Sequence, residues 1–198
     1  MYKFRRVSFV FRRFTAVIIM MRVITGSARG RRLETLPGDD VTRPTAESVK
    51  EALFSMLQFD IEGKKVLDLF AGSGQLGIEA LSRGASECVF VEMNKNARAV
   101  VERNVDKCGF GSVSRVIPAN ALAYAASCPA FDIVFLDPPY NNGLVTEILP
   151  LIESRLNKNA LVACETSAAE ELPESVGSLK TIRNRRYGKT KITLYRKD

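Results

Sequence analysis

The chain predicts an α/β domain: a mostly parallel, Rossmann-like sheet with helices on both faces. Three observations point there. Between residues 63 and 165, short runs rich in Val, Leu, Ile and Phe alternate with amphipathic stretches, and the connections are short. A glycine-rich turn at 71–74 directly follows the first apolar run. At the end the rhythm breaks, and two β-like runs meet at Gly188 with no helix between them.

Each element can be justified in order. Residues 22–36 read as a small β-rich arm. Pro44 opens a helix over 45–57 whose Val49, Ala52, Leu53, Met56 and Leu57 share one face. The run 66–70 is a buried strand, followed by a helix over 75–83 that Gly84 ends. A second strand spans 87–93. Helical spacing through Ala97, Val100, Val101, Asn104 and Val105 marks 95–108, with Gly109 as the C-terminal stop. Strand 113–117, a short helix 121–127, strand 133–136, helix 144–156 and strand 161–165 complete the alternation. The runs 179–187 and 191–197 read as a closing antiparallel pair. No internal repeat or low-complexity segment is present.

With 198 residues, 46% hydrophobic and 26% charged, the chain suits one soluble domain with its own core. No apolar run approaches the ~20 residues of a membrane span. The four cysteines form no C-x-x-C pair, which predicts reduced, buried cysteines in a cytoplasmic protein and no zinc site. There is no histidine, which excludes Ser-His-Asp and Cys-His catalysis. The net charge is +7, and residues 1–21 hold five Lys or Arg and no acid. That leader reads as an upstream extension with a start at Met20 or Met21; a short structured segment and a transit peptide are the alternatives. Arg29, Arg31 and Arg32 continue the basic stretch, and the first acid is Glu34. A one-signed cluster of this kind is the footprint of a nucleic-acid partner.

Two motifs carry chemistry. Gly72, Gly74 and Gly77 form G-x-G-x-x-G between a strand and a helix, where backbone amides can approach a ligand. A nicotinamide enzyme would share this loop. Asp68, at the end of the same strand, argues otherwise, because a carboxylate repels a pyrophosphate and attracts the ammonium and sulfonium of S-adenosylmethionine. Glu92, at the next strand end, suits ribose hydroxyls, and Asn120 suits either the adenine or a helix N-cap. The predicted cofactor-binding residues are Asp68, Phe70, Gly72, Ser73, Gly74, Glu92, Met93, Asn120 and Ala121. The second motif is Asp137-Pro138-Pro139-Tyr140. The two prolines stop a buried strand and stiffen the segment. Asp137 and the Pro138 carbonyl then offer two acceptors to an exocyclic amine, and Tyr140 offers a face for a base. No metal is needed.

These motifs, with RVITGSARGRRL at 22–33, TRPTAESVKEALFSML at 42–57 and YGKTKITLY at 187–195, resemble the RsmD-type methyltransferases of small-subunit (16S) ribosomal RNA. The resemblance covers residues 22–197. It implies a class I S-adenosylmethionine-dependent methyltransferase domain over 42–198 with seven strands, the last antiparallel, behind a basic arm at 22–41. It implies transfer to guanine N2, a 16S rRNA partner within the small subunit, and a monomer. It also gives Arg29, Arg31, Arg32 and Arg43 a role against RNA. Two positions depart from the family pattern: Gln75 replaces a small apolar residue, and Lys189 stands where an acid or polar residue is common. Other readings are a nicotinamide-dependent oxidoreductase, a non-catalytic RNA-binding assembly factor, and an amino-methyltransferase acting on DNA adenine or protein glutamine.

Overall fold

In a computed structural model the alternating segments build one eight-stranded sheet of order β3-β2-β1-β4-β5-β8-β7-β6. The structure describes residues 21–36, 44–139 and 143–198, with only the backbone for 44–46. The strands are β1 (Lys65–Asp68), β2 (Glu87–Val91), β3 (Ser114–Ile117), β4 (Phe131–Leu136), β5 (Leu156–Ser167), β6 (Ser175–Val176), β7 (Leu179–Tyr187) and β8 (Thr190–Lys197). β1 to β5 run parallel. β8 runs antiparallel to both of its neighbours, β5 and β7. The helices are α1 (Pro44–Met56), α2 (Gln75–Ser82), α3 (Lys95–Cys108), α4 (Ala121–Ser127) and α5 (Leu144–Glu153).

Each face of the sheet has its own core, as parallel strands require. On one side α1, α2 and α3 bring Leu53, Phe54, Ile78 and Val101 against Val66, Phe90, Phe135 and Leu194. On the other, α4 and α5 bring Ala125, Val145, Ile148 and Ile152 against Leu67, Val89, Val134 and Tyr195. All four cysteines are free and buried. No helix among the described residues is long and apolar enough to cross a membrane.

Three features differ from the sequence reading. Helix α5 stops at Glu153, and Leu156 already belongs to β5, paired with Phe131. An apolar run cannot by itself separate the end of a buried helix from the start of a buried strand. The eighth strand, β6, is a two-residue addition at the edge. The arm is β-like only at one antiparallel bridge, Arg22 to Arg32. Its other backbone groups bond within the arm's own turns and to side chains and carbonyls of α1, α2 and α3. Of the segments expected to flank the arm, 1–20 and 37–43 lie outside the described residues, and Arg43 with them.

The arm is docked by polar groups buried on α2. Glu79, fully buried, accepts the backbone N–H groups of Ile24 (2.7 Å) and Thr25 (3.0 Å) and the Arg83 side chain (2.8 Å). Buried Lys50 lies 3.9 Å from the same carboxylate and donates to the Arg22 carbonyl. Burial lowers its pKa, and Glu79 opposes that shift. Ser82 adds bonds to Thr25 and Ala28. Gly26 lies so close that an added Cβ would sit 1.7 Å from the Ser82 carbonyl oxygen, so only glycine fits there. Removing one partner of a buried ion pair strands the others, at a cost of roughly 3–5 kcal/mol. Glu79→Ala is therefore expected to lower stability by about that much, measured by urea unfolding, and to expose the arm to proteolysis.

Candidate functional site

The carboxyl ends of the strands surround a cavity of about 600 Å³, of the size that holds a nucleoside-like ligand. Its polar wall is Glu92, Asn120 and Asp137; Phe70, Val91, Leu122 and Leu144 supply apolar surface. Of the expected site residues, it brings together Phe70, Gly72, Glu92, Met93, Asn120, Ala121, Asp137, Pro138 and Pro139. Tyr140 lies outside the described residues.

Two strand ends build the cofactor side. β2 ends at Val91, so Glu92 is carried half-buried to the cavity. One of its oxygens accepts the Gly72 N–H at 3.0 Å, and the other accepts the Asn94 N–H at 2.7 Å. The carboxylate is thus fixed in orientation by the glycine loop and by the start of α3. Asn120 is the N-cap of α4, accepting the Ala123 N–H at 3.2 Å, so the cap holds this side chain at the rim. Met93 is largely exposed beside it.

Asp68, Ser73 and Gly74, expected at the cofactor, are not on the cavity wall. Asp68 is buried beneath the loop, where its Oδ2 accepts the Gly77 N–H at 3.0 Å. Its Oδ1 has no hydrogen-bond partner. Burial pushes this carboxyl up to about 7; the bond from Gly77 and the nearby Phe70 amide pull it down, and Glu92 raises it. Ser73 turns to the arm, with its hydroxyl 3.3 Å from the Met21 sulfur. Gly74 packs inward, where a Cβ would meet Val101, Ile78 and Phe90. Gly77 presses on β2 so closely that a Cβ would lie 2.3 Å from the Phe90 ring. That glycine serves helix–strand packing.

These bonds bear on ligand chemistry. The loop amides that would cradle a pyrophosphate, those of Gly72 and Gly77, are already spent on carboxylates. No Lys or Arg lines the cavity among the described residues. A buried carboxylate oxygen without a partner, below a wall carrying Glu92, suits a ligand with positive charge and ribose hydroxyls. The residues present fit S-adenosylmethionine.

On the other side, Asp137 follows β4 directly and is half-buried, with Pro138 buried and Pro139 exposed. Burial raises the Asp137 pKa well above the usual carboxylate range, and Glu165 of β5 and Asp68 raise it further. The sequence reading did not single out Glu165, which sits inside an ordinary strand pattern.

The arm arginines separate. Arg31 donates to the Lys107 carbonyl at the end of α3 (2.6 Å). Arg29 and Arg32 are exposed and make no ion pair among the described residues. A residue that sequence reasoning placed but gave no task is Asn104. It is fully buried on the inner face of α3, accepts the Glu34 N–H, and donates to the carbonyls of Glu34 and Ser73. It joins the arm to the glycine loop. The signal was an amide on an otherwise apolar helix face.

A family model described as "Conserved hypothetical protein 95" matches residues 21–196. The chain is 40% identical over 183 residues to YlbH of Bacillus subtilis, spanning 89% of this chain and 99% of the relative. It is 34% identical over 181 residues to "Ribosomal RNA small subunit methyltransferase D" of Escherichia coli, spanning 90% of each. The solved structure of yhhF from Escherichia coli superposes with a TM-score of 0.79 at 33% identity, covering 90% of this chain and 98% of that one. The sheet is the class I methyltransferase fold shared with solved methyltransferases.

The raised Asp68 pKa has a consequence for stability. Unfolded, this group titrates near 4; folded, near 7. Between those values the folded state keeps a proton that the unfolded state has lost, so its contribution falls as pH rises. Urea titrations should show Asp68→Asn gaining stability relative to the parent from about pH 4 to about pH 7. A constant difference across that window would contradict the assignment.

Proposed function

The chain belongs to the family of that model, the RsmD-type methyltransferases, and from this membership we propose that it methylates the N2 amine of a guanine in 16S ribosomal RNA. The methyl donor is S-adenosylmethionine, and the substrate is the assembled or assembling small subunit. The protein acts as a cytoplasmic monomer. One observation carries the reading: a single cavity has Glu92 and Asn120 on one wall and Asp137-Pro138-Pro139 on the other. A nucleoside cofactor and an exocyclic amine would meet there.

S-adenosylmethionine supplies an electrophilic methyl group on a positively charged sulfur. Everything else falls to this chain's residues. Glu92 takes the ribose hydroxyls while Gly72 and Asn94 keep its oxygens aimed. Asn120 and Met93 hold the adenine, with Phe70 and Ala121 completing that wall. A positively charged cofactor above the loop would draw the raised Asp68 carboxyl toward its ionised form. Asp137 and the Pro138 carbonyl accept both N–H bonds of the guanine N2, which turns its lone pair toward the methyl group. Tyr140 stacks on the base. Asp137 would take up the proton that the guanine N2 gives up on gaining the methyl group. A carboxylate with a raised pKa is a stronger base for that task than an ordinary one. Rate then comes mainly from holding the reacting atoms about 3 Å apart in line. Arg29, Arg32 and Arg43 meet RNA phosphate, and Arg31 orders the arm.

Unmodified small subunits incubated with methyl-labelled S-adenosylmethionine should yield labelled N2-methylguanosine after digestion. Asp137→Ala should abolish the label while S-adenosylhomocysteine still raises the Tm. Label in another nucleoside, or unchanged label with the variant, would refute the reading. In single-turnover assays the methyl-transfer rate should fall on acidification, at a pH well above the ordinary carboxylate range, as Asp137 takes up its proton. An acid limb at ordinary carboxylate values would remove Asp137 from that role.

A further inference from the structure

The positive charge of this chain has a second centre that the proposed site does not use. Between residues 179 and 197 the sequence holds eight Lys or Arg and no acid, more than the whole net charge of +7. That segment is the β7–β8 hairpin with its turn, Gly188-Lys189. Half of its cations have structural partners. Lys180 pairs with Asp198, Lys191 with Glu171 and Arg196 with Asp60. Lys197 donates to the carbonyls of Glu153 and Leu156. The other four, Arg183, Arg185, Arg186 and Lys189, are exposed and make no ion pair among the described residues. Arg185 and Arg186 bond only to nearby carbonyls within the hairpin.

Topology sets where these charges stand. β5 runs parallel to β4, so its Glu165–Ser167 end lies at the catalytic edge. Ser167 pairs with Thr190, and Thr190 with Tyr187. The hairpin turn therefore sits on the same edge as Asp137. Its Lys189 carbonyl accepts the Ala168 N–H just after β5. β7 is three strands from β4, roughly 14 Å at the usual strand spacing. That is two phosphate steps or so along an RNA backbone. Cross-strand pairing places Arg183 and Arg185 beside Leu194 and Ile192, on the α1 side of the sheet. Arg186 lies opposite Lys191 on the other side, where Glu171 is already paired with Lys191.

Edge strands often carry charge to prevent edge-to-edge pairing. That accounts for one or two lysines. It does not account for four unpaired cations of one sign ending at the catalytic rim, three of them arginines. The arginine guanidinium is the group best shaped for phosphate. Beyond Thr181, whose N–H bonds the Glu174 carbonyl, the outer edge of β7 has no partner strand among the described residues. We infer that the β7–β8 hairpin is a second RNA-backbone site, in which Arg183, Arg185, Arg186 and Lys189 bind phosphates flanking the target guanine. It rests on the RNA reading above and gives Lys189, the departure from the family pattern, a task at the turn.

The test is R183A/R185A/R186A/K189A against the parent and against K64A/K158A, two exposed lysines near the opposite edge of the sheet. Binding to small subunits should weaken about tenfold or more, and the salt slope of log affinity should fall by roughly 0.7–0.9 for each phosphate no longer neutralised. The control pair should keep both. The Tm shift with S-adenosylhomocysteine should be unchanged, which reports an intact fold and cofactor site. R183K/R185K/R186K should recover most of the binding. A photo-crosslinking side chain introduced at Tyr187, on the same side as Arg183 and Arg185, should join RNA. Unchanged affinity and salt slope, or a crosslink to a ribosomal protein only, would overturn the inference. Parent protein that binds subunits through the hairpin yet transfers no methyl group would overturn the proposed reaction and leave the hairpin site standing.

Discussion

Three carboxyl groups, Asp68, Asp137 and Glu165, stand on neighbouring strands near the ends of β1, β4 and β5, and the site is organised around their shared discomfort. Like charges in a poorly solvated region cannot all ionise without cost. Asp68 and Asp137 are accordingly pushed up, first by burial and then by acidic neighbours. The fold answers with an amide, as Gly77 donates to Asp68. It does not answer with a lysine or arginine on the cavity wall, among the described residues. An internal cation would satisfy these acids permanently. Leaving Asp68 and Asp137 without a cation on the cavity wall keeps that role for a ligand.

Helix α2 transmits this arrangement outward. Its first turn takes the Asp68 bond through Gly77, its middle carries Glu79 to the arm, and its last turn holds the arm through Ser82. α3 repeats the connection through Asn104, which bonds Glu34 of the arm and Ser73 of the glycine loop with one side chain. The arm and the cofactor loop therefore share anchors over a span of buried, mutually dependent polar bonds. Such networks hold one geometry well and tolerate partial loss poorly.

Most of the sheet was legible because its signals are local. Helices α3 and α4 match their sequence-derived bounds residue for residue, since Asn94 or Asn120 caps the start and Gly109 ends the first. α5 was read too long because no glycine or proline separates Glu153 from the strand at Leu156. The cavity was legible where an acid directly follows an apolar strand run, as with Glu92 and Asp137. Ser73 and Gly74 were drawn in by the glycine motif, and a motif spacing does not reveal which way each residue turns. Glu79 and Asn104 were invisible as anchors because their partners lie 55 and 70 positions away in sequence. The charge of the β7–β8 segment was plain in composition, but its position at the catalytic rim depends on strand direction.

That direction follows from the reversal of β8 against β5. Had β8 continued parallel to β5, its chain would have entered from the far edge, and a crossover would have been needed between β7 and β8. Because β8 runs antiparallel, β7 must end, and β8 begin, at the edge where β4 delivers Asp137. The tight turn at Gly188 is thereby fixed at the rim by connectivity alone. The sheet is divided accordingly: β1, β2 and β3 carry the loops that face a nucleoside, and β5, β8 and β7 carry the surface that faces whatever approaches Asp137. Four cations without ion pairs among the described residues stand on that second half, at β7 and its turn, while no Lys or Arg lines the cavity wall between the halves, which carries Glu92. A polyanion is thus attracted to the rim and repelled from the cavity. Only an uncharged part of it, such as a base turned out of its stack, can enter without meeting the carboxylates.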